Sequence, residues 1–181
     1  MSDFVPTTPR ADPPFAADEV TMLRGFLDYY RATVRRQAEG LSQEQLATPL
    51  APSTMTLGGL LKHLAVVEES WFDETLAGEE LGEPWASVDW DADRDWEWHT
   101  AAQDDPAYLF SLYDRAIAAG DRRIDEAMAG DGLDTRSVRG SHRTGEQFTL
   151  RWILVHLIEE YARHAGHADL IRESIDGATD L

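Results

Sequence analysis

The strongest constraint on this chain is a set of four long segments with apolar residues at the spacing of an α-helix. In chain order they cover residues 18–39, 56–78, 106–130 and 148–174. No convincing strand pattern separates them, although the stretch 135–150 is compatible with a small hairpin. We therefore predict an all-α protein, built as a four-helix bundle with at least one long connection.

The length and composition of the sequence predict a single domain that follows a short leader. A length of 181 residues suffices for one core, and no fixed-period repeat occurs. Residues 1–17 are rich in Pro, Asp and Thr, which indicates an extended leader before one domain over 18–176. The start lacks the regions of a secretory signal, and no apolar run reaches the ~20 residues of a membrane span. We expect a cytoplasmic protein with no membrane partner.

Charge and cysteine content exclude several classes of function. Asp and Glu outnumber Lys and Arg 34 to 16, and the net charge of -18 repels the phosphates of nucleic acids. We therefore expect no nucleic-acid partner. The chain has no cysteine, which removes disulfides, thiolate ligands and a protein-borne thiol nucleophile. Any thiol chemistry must use a thiol from outside the chain.

The fourth helical segment is unusually rich in groups that bind metals. The stretch 156–173, "HLIEEYARHAGHADLIRE", holds three of the six histidines and two adjacent glutamates. A step of about 100° per residue places His164 on the inward face, Glu160 at the edge of that face and Glu159 towards solvent. His164 and Glu160 are therefore the residues of interest.

These two residues, with one histidine from the second helix, form a candidate metal site. Glu160 and His164 are four residues apart, so their Cβ atoms lie ~6 Å from each other on one helix. His63 lies at the rim of the second apolar stripe. That stripe is formed by Leu57, Leu60, Leu61, Leu64, Val67 and Trp71. Two imidazoles and a carboxylate are the protein ligands of an open zinc site or a non-haem iron site. His156 and His167 are predicted to line this site as a second shell. The alternative is a hydrogen-bonded core histidine with no metal.

A long acidic segment, residues 79–105, carries Trp85, Trp90, Trp96 and Trp98. We predict a wrapped loop that either lies over the bundle end near the site or packs as an ordinary connection. Its acidic run "DWDADRDWEW" is predicted to be a solvated face, since it lacks the glycine and final glutamate of an EF-hand. A di-iron site is disfavoured because neither the second nor the fourth helix has a Glu-x-x-His pair.

Two stretches, "FTLRWILVHLIEEYARHAGHADLIRE" and "TLGGLLKHLAVVEESWF", resemble the DinB-like superfamily of four-helix-bundle metalloproteins. The resemblance is to the branch related to the N-terminal domains of mycothiol-dependent maleylpyruvate isomerase. It implies an up-down-down-up bundle in which His63, Glu160 and His164 hold a divalent metal, with zinc or nickel expected in purified protein. It also implies a low-molecular-weight thiol, such as mycothiol or bacillithiol, as cosubstrate.

The expected function is that of a divalent-metal-dependent thiol S-transferase acting on small electrophiles. One alternative is a metal-dependent hydrolase, with His156 or His167 as acid or base. Another is a non-catalytic metal-binding module in a stress response. The sequence does not identify the electrophile. It does not identify the oligomeric state either, and a homodimer is one of the possible assemblies.

Overall fold

The structure is a computed structural model that describes residues 5–179 and 181, and it is mostly helical. In this part of the chain the α-helices are α1 Glu19–Ala38, α2 Gln43–Leu46, α3 Leu57–Glu69, α4 Trp96–Thr100, α5 Pro106–Met128 and α6 Leu150–Asp176. A π-helical stretch, Ser70–Leu76, continues α3, and 3-10 turns occupy Trp85–Ser87, Ala101–Gln103 and Gly132–Asp134. The strands β1 Arg136–Gly140 and β2 Gln147–Thr149 pair as an irregular antiparallel hairpin. The predicted helical character and the hairpin are confirmed.

The long helices begin where side chains cap their free backbone N–H groups. The Asp18 side chain accepts a hydrogen bond from the N–H of Thr21 at the start of α1. Thr56 caps α3, and Thr149 caps α6. The prediction that the last helix starts at Phe148 is wrong by two residues, because Phe148 belongs to β2.

Two helix pairs make up most of the packing. α1 packs along α6 and α3 along α5, while α3 also contacts α1 and α6. Their facing sides form one apolar core, with fully buried side chains that include Leu27, Leu60, Leu64, Tyr113, Ile124, Leu154 and Leu157. No helix in the described residues is long and apolar enough to cross a membrane.

The buried face of α3 differs from the predicted stripe in its C-terminal half. The pattern predicts Val67 and Trp71 on the inward face, but both are only half-buried, and Glu68 and Phe72 occupy the core instead. Glu68 can do so because the Arg31 guanidinium donates two hydrogen bonds to its carboxylate, both of 2.7 Å. The face with Val67 and Trp71 is thereby turned towards α6.

The N-terminal segment is held to the helices through polar contacts. The backbone N–H groups of Thr7 and Thr8 donate hydrogen bonds to the Glu39 carboxylate, at 2.9 and 3.1 Å. Arg10 donates to the backbone carbonyl of Leu181 and to the Thr33 hydroxyl. Residues 1–4 of the predicted leader lie outside the described residues, and its boundary at 17 stays a prediction.

Candidate functional site

The helices α3 and α6 lie side by side and bring the predicted site residues together. The His63 and His164 rings meet with centroids 5.1 Å apart at 64°. Further along, the rings of Trp71 and His156 meet with centroids 4.7 Å apart. The two contacts show that the helices run antiparallel, because the later residue of one helix pairs with the earlier residue of the other. Glu160 lies between the two contacts along α6. The half-buried face of α3 therefore faces the histidine-rich face of α6.

Glu160 and His164 have the separation expected of two ligands of one ion. The Nε2 atom of His164 lies 3.6 Å from the Oε2 atom of Glu160. Two atoms bound at ~2.1 Å to a tetrahedral ion lie roughly 3.4 Å apart. Little movement would be needed for this pair to share a cation.

His164 is held in its neutral form. Its side chain is buried, with the whole residue 8% exposed. Burial lowers the pKa of His164 to about 4, and the nearby charges of His63, His167 and Arg163 act in the same direction. At neutral pH the imidazole therefore keeps a free lone pair, which is the form that binds a metal.

The two histidines predicted as a second shell have different surroundings. The Nδ1 atom of His167 lies 3.4 Å from the Nδ1 atom of His164, on the side of that ring away from Glu160. His156 stacks on Trp152, with ring centroids 5.0 Å apart and planes at 18°. His167 thus contacts the candidate site directly, whereas His156 belongs to an aromatic cluster about one helical turn away.

The long acidic connection reaches the site through α4. Glu97 lies with one carboxylate oxygen, Oε1, 2.9 Å from Nδ1 of His63. The Trp98 indole stacks on the same imidazole, with centroids 4.8 Å apart and planes at 30°. Gly59 permits this approach, because a Cβ atom there would lie 2.6 Å from the Trp98 ring. The connection therefore covers the His63 side of the site.

For Glu97 the predicted solvated face is wrong, since this residue is 5% exposed. The sequence does contain one indication that Glu97 is buried. It stands between Trp96 and Trp98, and two large apolar neighbours favour an apolar environment for its carboxylate. The remaining tryptophans of the connection pack with residues of α3 and α5 in a separate apolar cluster, namely Trp85, Trp90 and Trp96.

In the described part of the chain, no three His, Asp or Glu side chains form a ready-made metal cluster. The predicted ligands meet instead as two pairs that share His164. One pair joins His164 to His63, and the other joins it to Glu160.

These observations define a mostly helical protein with a histidine and carboxylate cluster between two antiparallel helices. Residues 22–177 match the family model described as Mycothiol-S-transferase. The chain therefore belongs to the mycothiol S-transferase family. This membership agrees with the DinB-like resemblance, while the closer relation to maleylpyruvate isomerase stays a prediction. A comparison with curated proteins found no match.

Proposed function

We propose that this protein joins mycothiol, through its sulfur atom, to small electrophiles, with a divalent metal held by His63, Glu160 and His164. The observation that carries the proposal is the family match over 22–177, which includes all three residues. Their placement on facing helices supports it, since sites in helical proteins form from inward side chains of neighbouring helices.

The residues at the site fit a divalent cation. His164 is neutral at physiological pH, and its Nε2 atom lies 3.6 Å from a carboxylate oxygen of Glu160. His63 adds a second imidazole beside it. Two imidazoles and one carboxylate suit zinc or nickel, and three protein ligands leave a position for an external group.

When bound, such a metal lowers the pKa of a coordinated thiol, so that the reactive thiolate is present near neutral pH. The thiol is external because the chain has no cysteine. Its thiolate sulfur attacks the electrophilic carbon, a C–S bond forms, and the leaving group departs with the bonding pair. The stacked Trp98 shields the His63 ring from water, and His167 supports the His164 ring at Nδ1.

Several finer features belong to the same proposal. The four long helices are α1, α3 with its π-helical continuation, α5 and α6, and we propose for them the up-down-down-up order of DinB-like bundles. We also propose a cytoplasmic location, and that His156 borders the site from the aromatic cluster one turn from Glu160 without binding the metal.

Turnover of mycothiol tests the function. Protein loaded with zinc or nickel is incubated with mycothiol and an alkylating probe such as monobromobimane, and loss of free thiol is followed. We expect metal-dependent acceleration that is lost in His63→Ala and Glu160→Ala but kept in His142→Ala, a histidine of the hairpin turn. Bacillithiol and glutathione serve as comparison thiols.

Two results would contradict the proposal. One is thiol consumption at the uncatalysed rate with every metal tried. The other is conversion of the electrophile at the same rate without thiol, which would favour a hydrolase.

A further inference from the structure

Glu97 is a buried carboxylate that contacts the candidate site from outside the predicted ligand set. It lies in α4, within the acidic connection, and is 5% exposed. Its Oε1 atom is 2.9 Å from Nδ1 of His63. A carboxylate is an acceptor, so this contact places the imidazole proton on Nδ1. The Nε2 atom of His63 then keeps its lone pair.

The plane of the His63 ring is fixed as well as its tautomer. The next residue, Trp98, stacks on the ring with centroids 4.8 Å apart. The room for that indole comes from Gly59, one turn before His63 on α3. Adjacent residues of one short helix therefore control the two properties that decide where an imidazole nitrogen points.

The second carboxylate oxygen of Glu97 gives an independent indication of a cation. Oε2 is buried and has no hydrogen-bond partner in the described residues. A buried carboxylate oxygen without a partner is costly unless positive charge lies nearby. The partner of Oε1 is an imidazole, which acquires positive character when its other nitrogen binds a metal.

We propose that Glu97 is the positioning residue of His63, and that it orients the Nε2 atom of this histidine for the metal. This inference rests on the proposed function, because it assumes that His63 is a ligand. It adds a residue from the acidic connection to a site otherwise built from two helices. Carboxylates that accept from the second nitrogen of a ligand histidine typically change metal affinity 10- to 100-fold, roughly, when removed.

Metal affinity in the full-length chain is the first test. Cobalt(II) is titrated into the wild-type protein, Glu97→Gln and Glu97→Ala, in competition with a chelator. We expect cobalt affinity to fall by about 10- to 100-fold in Glu97→Ala, with a smaller loss in Glu97→Gln. The matched control is Glu83→Gln, which removes the same charge from an exposed glutamate of the same connection that accepts a hydrogen bond from the Ser87 hydroxyl. Its affinity should equal that of the wild type.

The tautomer of His63 is the second test and needs no metal. Long-range 1H–15N NMR of the imidazoles should show His63 of the metal-free wild-type protein as the Nδ1–H form. In Glu97→Ala this preference should be lost. A purely structural role for Glu97 predicts lower stability without these changes.

Each outcome decides between the two proposals. Wild-type protein with His63 in the Nε2–H form would overturn the role of Glu97, even if neither variant folds. Equal cobalt affinity in the wild type and both Glu97 variants would overturn that role and leave the proposed function standing. Wild-type protein that binds no divalent metal would overturn the proposed function, and this inference with it.

Discussion

At the scale of single residues, Arg31 and Glu68 meet in the core, where neither side chain is more than 3% exposed. The guanidinium donates two hydrogen bonds to the carboxylate, and the Tyr161 hydroxyl donates a third at 2.9 Å. Gly120 leaves room for this cluster, since a Cβ atom there would lie 2.7 Å from a Glu68 oxygen. Arg31 also donates to Asp28 and Asp121 through Nη1, whereas its Nε and Nη2 atoms donate to Glu68. Loss of the Glu68 charge therefore leaves these two buried donor groups without their buried counter-charge.

Loss of the Glu68 charge should therefore destabilise the fold strongly. We expect Glu68→Gln to lower the free energy of unfolding by about 3–5 kcal/mol, measured by urea denaturation at pH 7. The control is Glu19→Gln, which breaks an exposed pair with Arg151 and should lower the free energy of unfolding far less, because solvent screens that pair. Equal losses in the two variants would contradict a special role for the buried pair.

A second residue-scale prediction concerns Glu39 and pH. Burial raises the pKa of Glu39, but hydrogen bonds from Thr7 and Thr8 outweigh it and lower the pKa from 4.5 to about 2. A carboxyl group with a depressed pKa stabilises the fold above its unfolded value, and this contribution is lost as pH falls towards the folded value.

The stability difference between wild type and Glu39→Gln should be constant above pH 4.5 and shrink between pH 4.5 and about 2. Urea denaturation across this range measures it. Glu44→Gln, a change at an exposed glutamate of α2, serves as control. A difference for Glu39→Gln that stays constant down to pH 3 would speak against the hydrogen bonds to Thr7 and Thr8.

At the scale of elements, the acidic connection contributes two residues, Glu97 and Trp98, that contact His63 at the candidate site. Local signals located the helices well, because caps such as Asp18 and Thr56 act within one turn. The position of α4 depends on residues distant in sequence, since Trp98 fits against α3 only because Gly59 lacks a side chain. Such a contact has no periodic signature, so the sequence pattern predicts a solvated Glu97.

The contact of Trp98 with His63 predicts an optical signal. Nickel binding at His63 should quench part of the tryptophan emission, and a chelator should restore it. Trp98→Phe should remove this response, because its indole is 4.8 Å from the His63 ring. Trp90→Phe should keep it, because Trp90 packs on Trp96 in the separate cluster. Identical responses in both variants would mean that α4 does not report on the site.

At the scale of the whole molecule, periodicity identified His63, Glu160 and His164 by their helical faces. It also placed His164 inward and Glu159 towards solvent, as the structure has them. The periodicity of a single helix does not show which other helix it packs against. The antiparallel contact of α3 with α6 depends on how all the helices pack around one core. The apolar pattern likewise does not predict that Glu68 is buried on the inward face of α3, because the burial of this carboxylate depends on its partner Arg31 from α1.

The charge of the whole molecule predicts how it behaves towards DNA. A net charge of -18 repels the phosphates of duplex DNA. We expect no retardation of duplex DNA at micromolar protein in a gel at low salt. Retardation that disappears as salt is raised would contradict this.

We propose that His63, Glu160 and His164 hold a metal that binds an external thiol through sulfur. Cobalt substitution followed by addition of mycothiol tests it most directly, because sulfur coordination to cobalt gives a charge-transfer band in the near ultraviolet. We predict this band in the wild-type protein and its loss in His63→Ala and Glu160→Ala, with His142→Ala unchanged. Cobalt-loaded wild-type protein that shows no such band with mycothiol, bacillithiol or glutathione would contradict the claim.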